Sequence, residues 1–185
     1  MNLWQQTVST FFTLLVATSG WRPFTIEMQN LTYELLHPNV VDVNITMKNR
    51  THLDVHINFG RDIPQAFIDL TVLHDAGDDK FDLVYMNKTV DICQFLTNRK
   101  SNIFFDIVYK VMLEYAATLP DRCPIRKKKY QLINTFVDPE KFPSFMPDHK
   151  GKISILSWWK PKGVKIALMK MNFKLVFQRT YRANG

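Results

Sequence analysis

Two cysteines, Cys93 and Cys123, bracket the one clear stretch of helical periodicity in a chain that otherwise reads as strands. Phe104, Ile107, Val108, Val111, Met112 and Tyr115 recur at steps of three and four, which places them on one stripe. Ser101 stands where an N-cap can accept from the freed amides. Pro120 ends the helix, because the residue before a proline is pushed out of the α region. Residues 92–96 add a short turn upstream. A bridge between the cysteines would staple this helix to the strands around it.

Outside the bracketed stretch, apolar and polar residues alternate with a period of two. Leu31, Tyr33 and Leu35 share a face opposite Asn30. Val41, Val43, Ile45 and Met47 lie opposite Asp42, Asn44 and Thr46, and a turn at 48–50 follows. The clearest strand sets Leu53, Val55, Ile57 and Phe59 against His52, Asp54, His56 and Asn58. Ile68, Leu70 and Val72 continue the pattern, followed by a polar loop at 75–80 and by Phe81, Leu83 and Tyr85. Beyond Cys123, a strand covers 130–137 and an irregular, proline-rich connection covers 138–147. Ile153, Ile155, Trp158 and Trp159 precede a long last strand at 164–178. That strand slips in phase: Val164, Ile166 and Leu168 share one face, Met169, Met171 and Phe173 the other. A β-bulge near Leu168 brings both sets to the core, unless the strand is buried on both faces. Many short alternating segments predict a β-sandwich or barrel.

A chain of 185 residues, 46% hydrophobic, is long enough for one core, so residues 20–185 are expected to form a single domain. Residues 1–19 read as a cleaved signal peptide: the apolar run 11–17 is too short to span a bilayer and leads to Ala17-Thr18-Ser19. Four sequons follow, at Asn30, Asn44, Asn49 and Asn87, as expected of a secreted, extracellular glycoprotein. In that oxidising setting the two cysteines are expected to form a disulfide. The net charge is +7, with a run at 126–129 and further lysines at 150, 152, 160, 162 and 165. Secretion argues against nucleic acid as the partner of these charges, which read as a solvated loop or as attraction to an acidic headgroup or glycan.

Nothing in the chain calls for catalysis, a cofactor or a metal. His52, Asp54 and His56 alternate along one strand face, but that face is the solvated one of a half-buried strand. Asp78, Asp79 and Asp82 lack the spacing of a calcium loop. There is no nucleophile elbow, and no cysteine is left free once the two pair. The apolar surplus is the suggestive feature: Phe104, Val108, Met112, Tyr115, Met169, Met171 and Phe173 form a Met and Phe mixture suited to an adaptable apolar pocket.

The segment Asp91-Ile-Cys-Gln-Phe-Leu96, a helix ending in an aromatic, Arg122-Cys-Pro124, Pro147, and Gly151-Lys-Ile-Ser-Ile155 with Trp158 resemble a large fly family of small secreted proteins. That family carries a domain of unknown function and includes the chemosensory B proteins. Its members often carry another cysteine pair near the N-terminus, and 24–43 has none here. The resemblance implies an immunoglobulin-like β-sandwich of antiparallel strands, related to the lipid-recognition (GM2-activator-like) domains, with one helix inserted between the two cysteines. The function it implies is non-enzymatic binding of a lipid-like or other small hydrophobic ligand in chemosensory, taste or pheromone perception. The alternative is an extracellular interaction protein with a closed core that engages a membrane receptor or other protein partner.

Overall fold

The computed structural model describes residues 24–136, 138–139 and 148–179. The predicted signal at 1–19 and most of the proline-rich connection lie outside these. Strand β1 (Phe24–Leu35) is followed by β2 (Val41–Met47), β3 (His52–Phe59), β4 (Ala66–His74) and β5 (Leu83–Asp91). Helices α1 (Ile92–Thr97) and α2 (Ile103–Tyr115) come next, separated by a 3-10 turn at Arg99–Ser101. The chain then forms β6 (Ala116–Thr118), β7 (Lys129–Phe136), β8 (His149–Trp159) and β9 (Ile166–Arg179). All pairings are antiparallel, in a five-stranded sheet ordered β1-β9-β8-β4-β5 and a four-stranded sheet ordered β2-β3-β7-β6. The mainly β expectation therefore holds as two antiparallel sheets.

Period-two patterning sets the faces. Leu70 of β4 lies across from Ile155 of β8, which lies across from Met171 of β9, and that row belongs to the apolar face of the larger sheet. Val41 and Val43 of β2 and Tyr130 of β7 belong to the apolar face of the smaller one. Both faces feed one core, in which Val41, Val43 and Tyr130 pack with Ala66, Trp159 and Leu168. Ile63 and Ile125 complete it; they exchange backbone hydrogen bonds of 2.8 and 2.9 Å and are both buried.

The phase slip in the last strand is a bulge at the expected residue. Ser157 pairs with Met169 and Trp158 with Ala167, so Leu168 is the extra residue on β9. Its side chain is 4% exposed, and its carbonyl accepts from the Leu36 and His37 amides at 2.9 and 3.3 Å, closing the end of β1. Ile166, Leu168 and Met169 thus all pack with the core.

The bracketed stretch differs from expectation in three ways. It holds two helices, and Cys93 lies inside the first instead of ahead of a single one. Asp91 caps α1 by accepting from the Gln94 amide at 2.9 Å, which turns the predicted short turn into a helix. The cap of α2 is Asn102, not Ser101: its side chain accepts from the Phe105 amide at 3.3 Å, and Ser101 belongs to the 3-10 turn. Lastly, α2 ends at Tyr115, well before Pro120, because Ala116 and Thr118 are drawn into β6 against β7. The ladder of hydrogen bonds offered by the sheet outcompetes further helix there. Cys93 and Cys123 are joined, with their Cα atoms 5.4 Å apart.

Candidate functional site

The residues singled out as ligand-facing fall into two groups. Met169, Met171 and Phe173 sit at alternate positions of β9 and face inward with Ile153 and Ile155 of β8 and Val72 of β4. Those six side chains are only half-buried, although β4, β8 and β9 are interior strands of their sheet. Leu70, in the same row as Ile155 and Met171, is buried, and so are Ile26, Met28 and Phe177 toward one end and Ala66, Trp159 and Leu168 toward the other. On the smaller sheet, Ile45, Leu53 and Val55 are half-buried too. Thr135 adds one polar group; it is buried, and its hydroxyl has no hydrogen-bond partner among the described residues.

The helical group lies elsewhere. Met112 packs on a separate cluster of Val90, Phe95, Leu96 and Tyr109, with Phe105, Leu119 and Cys123 at its margin. Phe95 meets Phe105 and Tyr109 edge-on at 6.2 and 5.8 Å, a favoured aromatic geometry. The Tyr109 hydroxyl donates to the Pro120 carbonyl at 2.9 Å, and the Arg99 guanidinium lies 4.5 Å above its ring. Helix α2 packs against β7. Val108 and Tyr115 are half-buried on α2, and the side chain of Phe104 lies outside the described residues. Met112 and Met169 thus serve different clusters, Met112 packing with the α1 residues beside the disulfide and Met169 with the core of the two sheets.

A concavity of about 610 Å³ opens elsewhere still, lined by Leu119, Asp121, Arg122, Arg126, Lys128 and Tyr130 beside the disulfide. None of the predicted ligand residues lines it, and its walls are largely polar. The basic run at 126–129 forms one side, and part of it is already neutralised. Arg126 pairs with Asp62 at 3.0 Å, and the Asp62 carboxylate also accepts from the Lys127 amide at 2.7 Å. The Lys127 amide and then the Arg126 guanidinium hold Asp62 below its ordinary carboxylate value.

The polar face of β3 is committed to local structure. His52 takes part in bonds to Thr51 and Asn49 and stacks on Phe136 at 5.0 Å. His56 bonds Gln131 at 3.1 Å. Asp54 accepts from the Asn134 amide at 2.6 Å and pairs with Lys48 at 3.1 Å. Asn134 has φ of 55° at a β7 register shift, so Asp54 secures a bulge, and that amide bond lowers its pKa first of all. Asp79 pairs with Lys150 at 2.9 Å. Asn30, Asn44, Asn49 and Asn87 are all exposed.

One cluster was not anticipated. On the outer face of the larger sheet, Phe67 and Trp158 stack at 4.1 Å, and Lys165 lies 4.4 Å above the Trp158 ring while bonding Asp69 at 2.7 Å. The signal was legible in β4, where Phe67 shares its face with Asp69 and Thr71.

No curated protein matches the chain. Residues 68–153, running from β4 through both helices and the disulfide into β8, match the family model described as "Protein of unknown function (DUF1091)", so the resemblance to a domain-of-unknown-function family holds over that segment.

Proposed function

We propose that this chain is a secreted, glycosylated, non-enzymatic protein that holds a lipid-like or other small hydrophobic molecule between its two sheets. The observation that carries the reading is the half-burial of Val72, Ile153, Ile155, Met171 and Phe173 on interior strands, beside a buried Leu70 and between ends that bury Ile26 and Phe177 or Trp159 and Leu168. An apolar face left partly open costs roughly 25 cal/mol per Å² relative to burial, and an apolar ligand recovers that energy. Methionine suits such a surface because its unbranched chain adapts to different shapes. The unpartnered Thr135 hydroxyl supplies one polar anchor of the kind that orients a ligand. Exposure of all four sequon asparagines supports glycosylation, and the disulfide is consistent with an extracellular setting.

In this reading the two sheets form an immunoglobulin-like sandwich of the lipid-recognition, GM2-activator-like kind, and the ligand is read out in chemosensation. The chemosensory part rests on the family resemblance. The alternative, a closed-core protein engaging a receptor or other partner, is favoured by a different observation: α2 is spent on packing α1 and the disulfide, so it leaves no helical wall for a pocket.

Native mass spectrometry of the protein secreted from insect cells, with solvent extraction of bound molecules, separates the two. A co-purifying apolar molecule that is displaced by the variant Met171→Trp supports the binder. Absence of any extractable molecule, together with no uptake of a naphthylamine-type fluorescent probe, refutes it and leaves the interaction protein.

A further inference from the structure

A sheet edge presents unpaired amides and carbonyls that invite another strand, and proteins guard such edges with charges, bulges or cover. Two sheets have four edge strands, which here are β1, β5, β2 and β6. Three of them carry a sequon: Asn30 on β1, Asn87 on β5 and Asn44 on β2. The fourth, β6, is three residues long and offers little to pair with. The remaining sequon, Asn49, lies in the turn between β2 and β3, and Arg50 of that turn accepts from the Met28 amide of β1.

We infer that the glycans of this chain are edge guards, and that the one on Asn87 keeps β5 from pairing with a second copy of the chain. This rests on the secretory reading above. Strand β5 is the exposed edge of greatest apolar character: Leu83, Val84 and Tyr85 are 54%, 63% and 79% exposed. Val72 pairs with Met86 and Leu73 with Val84, so Tyr85 is the extra residue of a bulge that already disturbs this edge. Asn87 follows two residues later, directly across from Thr71, and is exposed. An added strand would lie about 4.8 Å from β5, a gap that a branched glycan on an adjacent side chain fills. The same pairing of bulge and sequon recurs on β1, where the register shifts between Gln29 and Thr32 and Asn30 has φ of 51°.

The test uses the full chain secreted from insect cells, with site occupancy read by glycopeptide mass spectrometry and mass by light scattering after size exclusion. Asn87→Gln removes the acceptor, Thr89→Ser keeps it, and Asn87→Gln with Val84→Lys adds a charge to the bared edge. Asn87→Gln is expected to raise the apparent dimerisation constant about tenfold or more. Thr89→Ser stays monomeric, and Val84→Lys restores the monomer. An occupied Asn87 whose loss leaves a monomer overturns the inference, as does a dimer that Val84→Lys fails to disperse. An empty Asn87 beside an occupied Asn30, Asn44 or Asn49 overturns it while leaving secretion intact. Four empty sequons overturn the inference together with the glycosylation it rests on, whereas a chain that never reaches the medium refutes the secretory reading itself.

Discussion

Deleting one residue, Leu168, is a sharper test of the fold than any substitution. Because Ser157 pairs with Met169 and Trp158 with Ala167, removing Leu168 joins two stretches already in register and leaves a regular ladder. Residues 169–179 keep their faces. What is lost is one Leu side chain, 4% exposed, and the carbonyl that accepts from Leu36 and His37. The side chain is worth about 3 kcal/mol, within the range for buried Leu to Ala changes. The two backbone bonds add about 1 kcal/mol each. Leu168→Ala, which keeps the bulge and those bonds, should therefore cost about 3 kcal/mol, and the deletion about 5.

Urea unfolding followed by tryptophan fluorescence measures both, and the slope of the transition should match wild type in each case. In a chain of this size Leu168→Ala corresponds to a fall in Tm of about 6–12 °C. The competing reading, a last strand buried on both faces without a bulge, makes the opposite forecast. There, deleting a residue slips the register and turns every following side chain to the other face. A deletion variant that does not fold, beside a Leu168→Ala variant that does, would refute the reasoning.

Three other outcomes are expected. Replacing both cysteines by Ala, Cys93→Ala with Cys123→Ala, should cost about 3.5 kcal/mol from the freed loop of 30 positions, and amide exchange at Ile63 and Ile125 should speed up first; an unchanged urea midpoint would contradict this. Tyr109→Phe should cost about 1 kcal/mol in the same assay, because the half-buried Pro120 carbonyl it bares can take water in place of the hydroxyl, and a loss above about 3 would point to a larger role. Acid stability should depend on Asp54 and Asp62, whose carboxyls are held below the ordinary 3.8 chiefly by the Asn134 and Lys127 amides. A lowered folded pKa stabilises above the unfolded value and is lost as pH falls below it, so wild type should weaken from about pH 4 downward. Asp54→Asn with Asp62→Asn should flatten that decline, and an unchanged pH profile would contradict it.

How far the chain could be read in advance follows from the range of each signal. Period two is local and strong, so the faces of β2, β3 and β4 were legible, and so was the slip at Leu168, which needs only one strand to be seen. The end of α2 was not. Nothing near Tyr115 marks a stop, and the partner that takes Ala116 into a sheet is Leu132, distant in sequence. The caps were missed because Ser101 and Asn102 are both competent, and only the geometry of the 3-10 turn decides between them. Grouping Met112 with Met169 failed for a related reason. Residue type says that both are adaptable and apolar, whereas their placement in different clusters is set by the sheet order.

That separation gives the bracketed stretch a mechanical role. The chain leaves the larger sheet from β5, passes through α1 and α2, and enters the smaller sheet by β6 and β7. Cys93 lies just after the exit and Cys123 just before β7, so the disulfide joins the two sheets where the chain crosses between them. Two residues beyond Cys123, Ile125 pairs with Ile63 in the β3–β4 connection, a second tie between the same two sheets. Both ties fall beside the fully buried cluster of Val41, Val43, Ala66, Tyr130 and Trp159. The half-buried Val72, Ile153, Met171 and Phe173 lie farther along their strands, with no covalent link of their own. The clamp joins the sheets covalently at one end, and beyond it they are held by non-covalent contacts such as the Met28 amide on the Arg50 carbonyl. The helices therefore tie the two sheets together, and under the proposed function they would serve the binding site without lining it.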